Sequence, residues 1–122
     1  MFNNIFFILH KPQLSENIGA CARAMKNFNF SKLIVINPKP IFPNDKIIAT
    51  SVGAQEIIKK SKLYESLEPA MKNVDFLIST TSRFRNKNIK HIKLNELKKI
   101  DFKKKVAFLF GPEASGLSNN EI

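Results

Sequence analysis

Four short apolar runs in a chain of 122 residues constrain its fold more than any other feature. They are Ile5–Leu9, Leu33–Ile36, Phe76–Ile78 and Val106–Phe110. Short apolar runs bounded by turn-forming residues are typical of strands that are buried on both faces of a sheet. Because stretches with helical spacing separate them, the runs predict an α/β fold in which helices cover both faces of a parallel sheet.

The clearest helical stretch follows the first run. Its apolar residues recur at the i, i+3, i+4 and i+7 positions of one helix face, at Ile18, Cys21, Ala22 and Met25. Gly19 and the alanines around it make this helix slim. The helix can therefore lie close to the sheet or to a second chain.

Weaker patterns fill the rest of the chain. Short helices are predicted over residues 46–50, 54–60, 66–72 and 94–100, with Ser66 as an N-cap. Leu63 and Tyr64 lead into the helix at 66, and residues 86–93 are interpreted as a polar, basic connection.

Two polar residues of this strand–helix unit are candidates for ligand binding. Asn17 stands at the strand-to-helix turn, and Arg23 lies nearly two turns further on, off the apolar stripe. An amide and a guanidinium at the open end of a strand suit a phosphate or a ribose. An ordinary strand–turn–helix with a solvated arginine fits the same local pattern, and both interpretations stay open at this point.

Two further loops follow buried strands. The third run continues into Ser79-Thr-Thr-Ser-Arg83, a sequence that suits a ligand loop at the carboxyl end of a strand. The fourth ends in a segment where Gly111 and Gly116 bracket Glu113, so the backbone can approach a ligand closely. Ser118 and Glu121 have the spacing of a capping box, and the sequence stops at Ile122, which suggests either that the natural protein continues or that the gene has lost its tail.

The charge is strongly basic and unevenly spread. The formal net charge is +10, and residues 83–105 hold ten basic side chains against two acidic ones. Such a stripe is the electrostatic footprint of a protein that binds a phosphate backbone. A lysine-rich composition accounts for the number of lysines, although not for their clustering. Arginine is used at only three positions, namely Arg23, Arg83 and Arg85, where the planar guanidinium is the group required.

Length and composition exclude several classes of protein. The chain is long enough for one domain, and 43% hydrophobic residues with 25% charged residues are typical of a globular protein. No apolar run approaches the roughly 18 residues of a membrane span, and no signal peptide is expected. The single Cys21 predicts neither a disulfide nor a metal site. These features point to the cytoplasm.

Two spaced motifs carry a resemblance to a known family. Asn-Ile-Gly-Ala-x-x-Arg at 17–23 and Phe-Gly-Pro-Glu-x-x-Gly-Leu at 110–117 resemble the SpoU branch of the SPOUT RNA methyltransferases. In the part of the chain between these two motifs, the family pattern is also matched by Asn37-Pro38 and Thr81-Ser82-Arg83. The likeness covers essentially the whole chain and is nearest to the TrmJ type, which methylates a ribose 2′-hydroxyl in the anticodon loop of tRNA.

The resemblance implies a sheet with a deep trefoil knot, a homodimer, no metal, and S-adenosylmethionine bound in the knot. By motif position, Arg23 corresponds to the catalytic arginine, Asn17 to its partner and Glu113 to the acid of the second motif. The residues that correspond to cofactor-contacting loops are Thr81, Ser82, Arg83 and Gly111. The third motif, which closes the knot, is missing after Ile122, so residues 1–122 are expected to be a single domain that lacks this segment.

Three functions follow from these observations. The leading hypothesis is an S-adenosylmethionine-dependent RNA ribose 2′-O-methyltransferase, with tRNA favoured over rRNA. The missing third motif motivates the alternative of a non-catalytic remnant that binds RNA or a partner protein. A small nucleotide-binding module is disfavoured because the chain has neither Gly-x-Gly-x-x-Gly nor a phosphate-loop Gly-Lys-Ser/Thr.

Overall fold

The computed structural model describes residues 2–79, 91–92 and 103–112 of the chain. Within these ranges one sheet contains six strands: β1 (Phe2–His10), β2 (Phe30–Ile36), β3 (Lys62–Tyr64), β4 (Phe76–Ser79), β5 (His91–Ile92) and β6 (Val106–Phe110). The helices of the same ranges are α1 (Ser15–Asn27), α2 (Asp45–Thr50), α3 (Gln55–Lys60) and α4 (Leu67–Ala70). The predicted helix at 94–100 and the capping box at Ser118 lie outside the described residues.

The sheet is parallel throughout. Its strand order is β3-β2-β1-β6-β4-β5, and every neighbouring pair runs in the same direction. The predicted α/β class is confirmed. All strands therefore end at one edge of the sheet, here called the carboxyl edge, and begin at the opposite amino edge.

Two strands were not predicted, and both lie at the outer sides of the sheet. β3 has three residues and β5 has two. In β3 both Lys62 and Leu63 are exposed. An outermost strand pairs on one side only and carries polar residues that discourage edge-to-edge association. It therefore leaves no apolar run in the sequence.

Helices cover both faces, as the alternation of strands and helices predicted. The core on one face joins α1, α2 and α3 to β2, through buried residues that include Ile18, Ala22, Leu33, Val35, Ile47 and Ile57. The core on the opposite face joins α4 to the sheet through Ile8, Ile34, Ile36, Leu67, Ala70 and Met71. Alternate residues of each strand serve the two cores, which is why the central strands read as continuous apolar runs.

Helix α1 packs closely against α2 because of one glycine. A Cβ atom built on Gly19 would lie 2.8 Å from both the carbonyl carbon and the Cβ of Thr50. No real side chain fits at that distance. The small residue predicted on this helix therefore allows close packing of α1 against α2 within the same chain. Ala20 and Ala24, in contrast, are exposed.

The shorter helices match their predicted positions with one difference in length. Asn44 caps α2, where its Oδ1 accepts a hydrogen bond from the backbone N–H of Ile47 at 2.9 Å. Helix α4 begins after Ser66 as predicted but ends at Ala70 rather than at residue 72. Ser66 occupies the N-cap position without a side-chain capping bond.

Candidate active site

Backbone hydrogen bonds join the loops at the carboxyl edge. The N–H of Lys11, just after β1, donates to the carbonyl of Ile36 at 2.7 Å, and the N–H of Asn37 donates to the carbonyl of Tyr64 at 2.9 Å. Lys11 and Asn37 both have positive φ angles, 54° and 45°. Left-handed residues are uncommon outside glycine and are concentrated in tight turns and at functional sites. The edge is therefore built to turn the chain sharply where two neighbouring strands end.

Two of the predicted site residues share one groove, which starts at this edge and runs along α1 to the beginning of β2. Asn17, in the first turn of α1, and Gly111, directly after β6, line a cavity of about 440 Å³. The other lining residues come mainly from β1, α1 and the strand ends, and they are Phe7, Leu9, Pro12, Ile18, Cys21, Ala24, Met25, Phe28, Phe30 and Phe110. The structure thus brings together two motifs from opposite ends of the chain, because β1 and β6 are neighbours in the sheet.

Aromatic rings dominate the floor of the groove. The ring of Phe7 lies 4.8 Å from that of Phe30, 5.6 Å from that of Phe108 and 6.0 Å from that of Phe110, measured between centroids. At the rim, Phe28 is 70% exposed. Aromatic faces of this kind stack on planar rings such as nucleobases.

Sequence reasoning missed this aromatic surface because it assigned the phenylalanines to buried strands. A signal was present, since Phe108 and Phe110 are two residues apart in one strand and must share a face.

The thiol of Cys21 lies in the wall of the groove as a neutral group. Burial raises its pKa from the ordinary value of 9.0 to about 11. At neutral pH the side chain is therefore a small apolar surface and not a nucleophile.

Arg23 lies elsewhere on α1. It is exposed, as its position off the apolar stripe predicted, and the buried residues of the helix are Ile18, Gly19, Ala22 and Met25. Arg23 is six positions after Asn17 in the helix, so the two side chains leave the helix axis in directions about 120° apart. Arg23 is also absent from the groove lining. Within one chain, therefore, the structure does not bring the predicted amide and guanidinium together.

The other predicted site residues, Thr81, Ser82, Arg83 and Glu113, lie outside the described residues. Ser79, the last residue of β4, is in register with Leu109, and Phe110 is in register with Leu9. β4 and β6 therefore both end at the carboxyl edge, where α1 begins.

The described residues contain neither a membrane-spanning helix nor a metal-binding cluster. No helix in that part of the chain is long and apolar enough to span a bilayer. The same residues contain no group of three His, Cys, Asp or Glu side chains arranged to hold a metal ion.

The sequence matches the SpoU rRNA Methylase family over residues 4–122. The chain therefore belongs to this family of RNA methylases, and the resemblance of the two motifs is confirmed.

Individual relatives show which members of the family the chain is similar to. The tRNA (cytidine-2′-O-)-methyltransferase TrmJ of Methanocaldococcus jannaschii is 35% identical over 123 residues, which cover 97% of this chain and 53% of that protein. The crystal structure of TrmJ from Z. mobilis ZM4 superposes with a TM-score of 0.76 at 28% identity, over 94% of this chain and 52% of that one. An AdoMet-bound rRNA methyltransferase from Sinorhizobium meliloti shares the fold with a TM-score of 0.60, at 14% identity over 98% of this chain and 44% of that one. The chain thus spans about half the length of the relatives it matches.

Proposed function

We propose that the protein is an S-adenosylmethionine-dependent methyltransferase that acts on the ribose 2′-hydroxyl of RNA, with tRNA as its substrate in the cytoplasm. The observation that carries this proposal is the shared groove of Asn17 and Gly111, because each residue belongs to one of the two family motifs. The relatedness to tRNA 2′-O-methyltransferases supports the choice of substrate.

The groove fits the adenosyl part of the cofactor. A cavity of about 440 Å³ lies within the usual range of small-molecule sites, roughly 300–1,000 Å³. Its aromatic floor suits a planar base, while the Asn17 amide and the Gly111 backbone offer hydrogen bonds to a ribose. When bound, S-adenosylmethionine supplies a methyl group that is activated by a positively charged sulfur. Thr81, Ser82 and Arg83 are proposed to complete this site from the loop after β4, and Glu113 to act from the loop after β6.

The chain's contribution to catalysis is alignment and electrostatic stabilisation. A guanidinium is effectively always protonated, so Arg23 is unsuited to act as a base. We assign it to bind an RNA phosphate and to stabilise the negative charge that develops on the ribose oxygen. This reaction requires positioning of the 2′-hydroxyl more than any strong base.

A homodimer accounts for the separation of Arg23 from the groove. One chain presents Asn17 and Arg23 in different directions, whereas a second chain that docks on the exposed side of α1 would bring its own Arg23 toward this groove. Ala20 is exposed on that side and permits close approach. We expect Ala20→Glu to convert a dimer to a monomer that keeps the wild-type secondary structure, with a melting temperature lowered only by the lost association. Analytical ultracentrifugation of the wild type and the variant tests this, and a wild type that stays monomeric at micromolar concentration would contradict it.

The proposed activity is tested by methyl transfer from radiolabelled S-adenosylmethionine to tRNA, with the protein expressed from its full reading frame. Nuclease digestion of the product should release a 2′-O-methylated nucleotide. DNA of the same sequence, which has no 2′-hydroxyl, is the control and should accept no label. Label on a base, or no transfer to any tRNA, would refute the proposed function.

A further inference from the structure

A second groove extends from the amino edge to Tyr64, the last residue of β3. Its volume is about 310 Å³, and four lysines line it: Lys32, Lys60, Lys62 and Lys105. They come from β2, the end of α3, the first residue of β3 and the residue before β6. None of its described lining residues belongs to the family motifs.

Parallel pairing explains why these lysines lie close together. Lys62 is in register with Ile34, two residues after Lys32. Lys32 in turn is in register with Phe6, and Phe6 with Ala107, two residues after Lys105. The lysines thus extend across four adjacent strands, from β3 to β6, a width of about 15 Å.

The chain segment before β6 is fixed in place on both sides. The side-chain amide of Asn4 donates to the carbonyl of Lys104 at 2.9 Å. The N–H of Lys105 donates to Oδ2 of Asp75 at 2.9 Å, and the N–H of Asp75 donates to the carbonyl of Lys105 at 2.8 Å. These bonds hold the backbone of exposed Lys103, Lys104 and Lys105, so less conformational entropy is lost when a ligand binds.

The groove is strongly basic, although the Asp75 carboxylate beside it accepts a hydrogen bond from the backbone N–H of Lys105. Its lining within the described part of the chain contains no aspartate or glutamate, whereas Lys46 on α2 pairs with Glu16 at 2.8 Å. Protection of a sheet edge explains a lysine on the outermost strand β3. It does not explain Lys32 or Lys105, because β2 and β6 are internal strands. Like charges held together repel one another, which favours a polyanion as their partner.

We propose that this four-lysine groove binds the phosphate backbone of the RNA substrate at a distance from the reacting ribose. This inference rests on the proposed function for the identity of the RNA. Lys32 lies four residues before Ile36, the last residue of β2, and is therefore about 13 Å along the strand from the carboxyl edge. A membrane surface is disfavoured because the apolar residues of the groove are buried or half-buried and none is available to insert into a bilayer.

The test compares two double variants with the same change in net charge. Lys62→Gln/Lys105→Gln removes two groove lysines, and Lys46→Gln/Lys59→Gln removes two exposed lysines that do not line it. Binding of tRNA is measured between roughly 50 and 200 mM salt by fluorescence anisotropy, with thermal melts of each variant. The groove variant should lower the slope of log Kd against log salt by about 1.4–1.8, since each lost phosphate contact removes roughly 0.7–0.9. The control should change the slope by much less.

The outcomes separate this inference from the proposed function. Equal loss in both variants would mean that only net charge matters, and an unchanged slope in the groove variant would exclude phosphate contacts there. Binding to phosphatidylserine vesicles that depends on Lys62 and Lys105, with tRNA binding intact, would assign the groove to a membrane; each of these three results overturns the inference. If the wild type fails to methylate tRNA but binds it through Lys62 and Lys105, the proposed activity fails and the groove stands.

Discussion

The grooves at the two edges of the sheet differ in charge and in the residues that line them. The carboxyl-edge groove is apolar and aromatic and contains two motif residues. The amino-edge groove combines four lysines and two asparagines with apolar residues such as Phe6 and Tyr64, beside a backbone segment fixed by Asn4 and Asp75. One groove is shaped to enclose a small planar ligand, and the other presents positive charge over a wide surface.

This difference indicates a division of tasks between the edges. Groups that stabilise a transition state must be few and rigidly placed, so they change the rate of the chemical step. Groups that attract a polyanion act by their number and their field, so they change affinity and its dependence on salt. Variants at the two edges should therefore produce different kinetic signatures.

The largest effect is expected at Arg23. Arg23→Lys keeps the charge but loses the planar guanidinium, and we expect methyl transfer to slow by about 10²–10³-fold, the usual cost of one lost charge-stabilising donor. The loss should be in kcat, whereas the amino-edge variant Lys62→Gln/Lys105→Gln should mainly raise KM for tRNA. Steady-state kinetics with thermal melts measure both. An Arg23→Lys variant that methylates like the wild type would remove the contrast between the edges, and a much lower melting temperature would mean that Arg23 supports the fold.

Cys21 reports on how apolar the carboxyl-edge groove is. With a pKa of about 11 in place of 9.0, its thiolate fraction at pH 8 is lower by about 100-fold, so iodoacetamide should alkylate the native protein about 100-fold more slowly than the urea-unfolded chain. The native rate should rise about tenfold per pH unit until about pH 11. Equal rates in the two states would show that the groove does not bury the thiol.

The raised pKa also gives a direction for stability. The unfolded chain releases the Cys21 proton near pH 9.0, while the folded chain retains it until about pH 11. Titration of Cys21 therefore leaves the free energy of unfolding unchanged below about pH 9. The free energy of unfolding then decreases as the pH rises through this interval.

Gly19 tests whether the carboxyl edge depends on tight packing. Gly19→Val adds a side chain where a Cβ alone would lie 2.8 Å from two atoms of Thr50. We expect a loss of about 1–3 kcal/mol in the free energy of unfolding, the usual cost of overpacking. Helix propensity alone predicts a small gain of a few tenths of a kcal/mol for this change.

Ala49→Val is the matched control for Gly19→Val, because Ala49 lies on α2 beside Thr50 but is exposed. Its propensity cost is about 0.6 kcal/mol. Urea unfolding should therefore rank Gly19→Val as the more destabilising change, whereas propensity alone ranks it as the milder one. If Gly19→Val is instead the less destabilising change, α1 and α2 can move apart without a loss in the free energy of unfolding.

The contrast between the edges also shows what the sequence can and cannot predict. The central strands were predicted because each is buried on both faces and leaves an apolar run, as in Leu33–Ile36. β3 was missed because an edge strand needs no such run, so Leu63 and Tyr64 were interpreted only as leading into the helix at 66.

Site residues, like strands, could be predicted only where they leave a local signal in the sequence. Asn17 and Gly111 were predicted because their motifs are local, and their shared groove is geometrically consistent with a parallel sheet. The four-lysine groove could not be predicted, because its members become neighbours only through the register of β3, β2, β1 and β6. The sequence showed a basic stripe at 83–105, and of the described residues in that stripe only Lys105 lines the groove.

The smallest effect, at Asp75, distinguishes a fixed array of lysines from a diffuse positive charge. Asp75→Asn removes a negative charge beside Lys105 but keeps an oxygen that can accept the Lys105 N–H bond. It should tighten tRNA binding by about two- to fivefold, which corresponds to at most about 1 kcal/mol of removed repulsion at an exposed site. Asp75→Ala removes the same charge together with the acceptor, so the backbone before β6 is held less firmly. If fixed placement matters, the alanine variant binds tRNA more weakly than the asparagine variant at equal net charge. If the amino edge acts only as diffuse charge, both variants tighten binding equally, and the contrast drawn between a placed array and a general positive field is wrong.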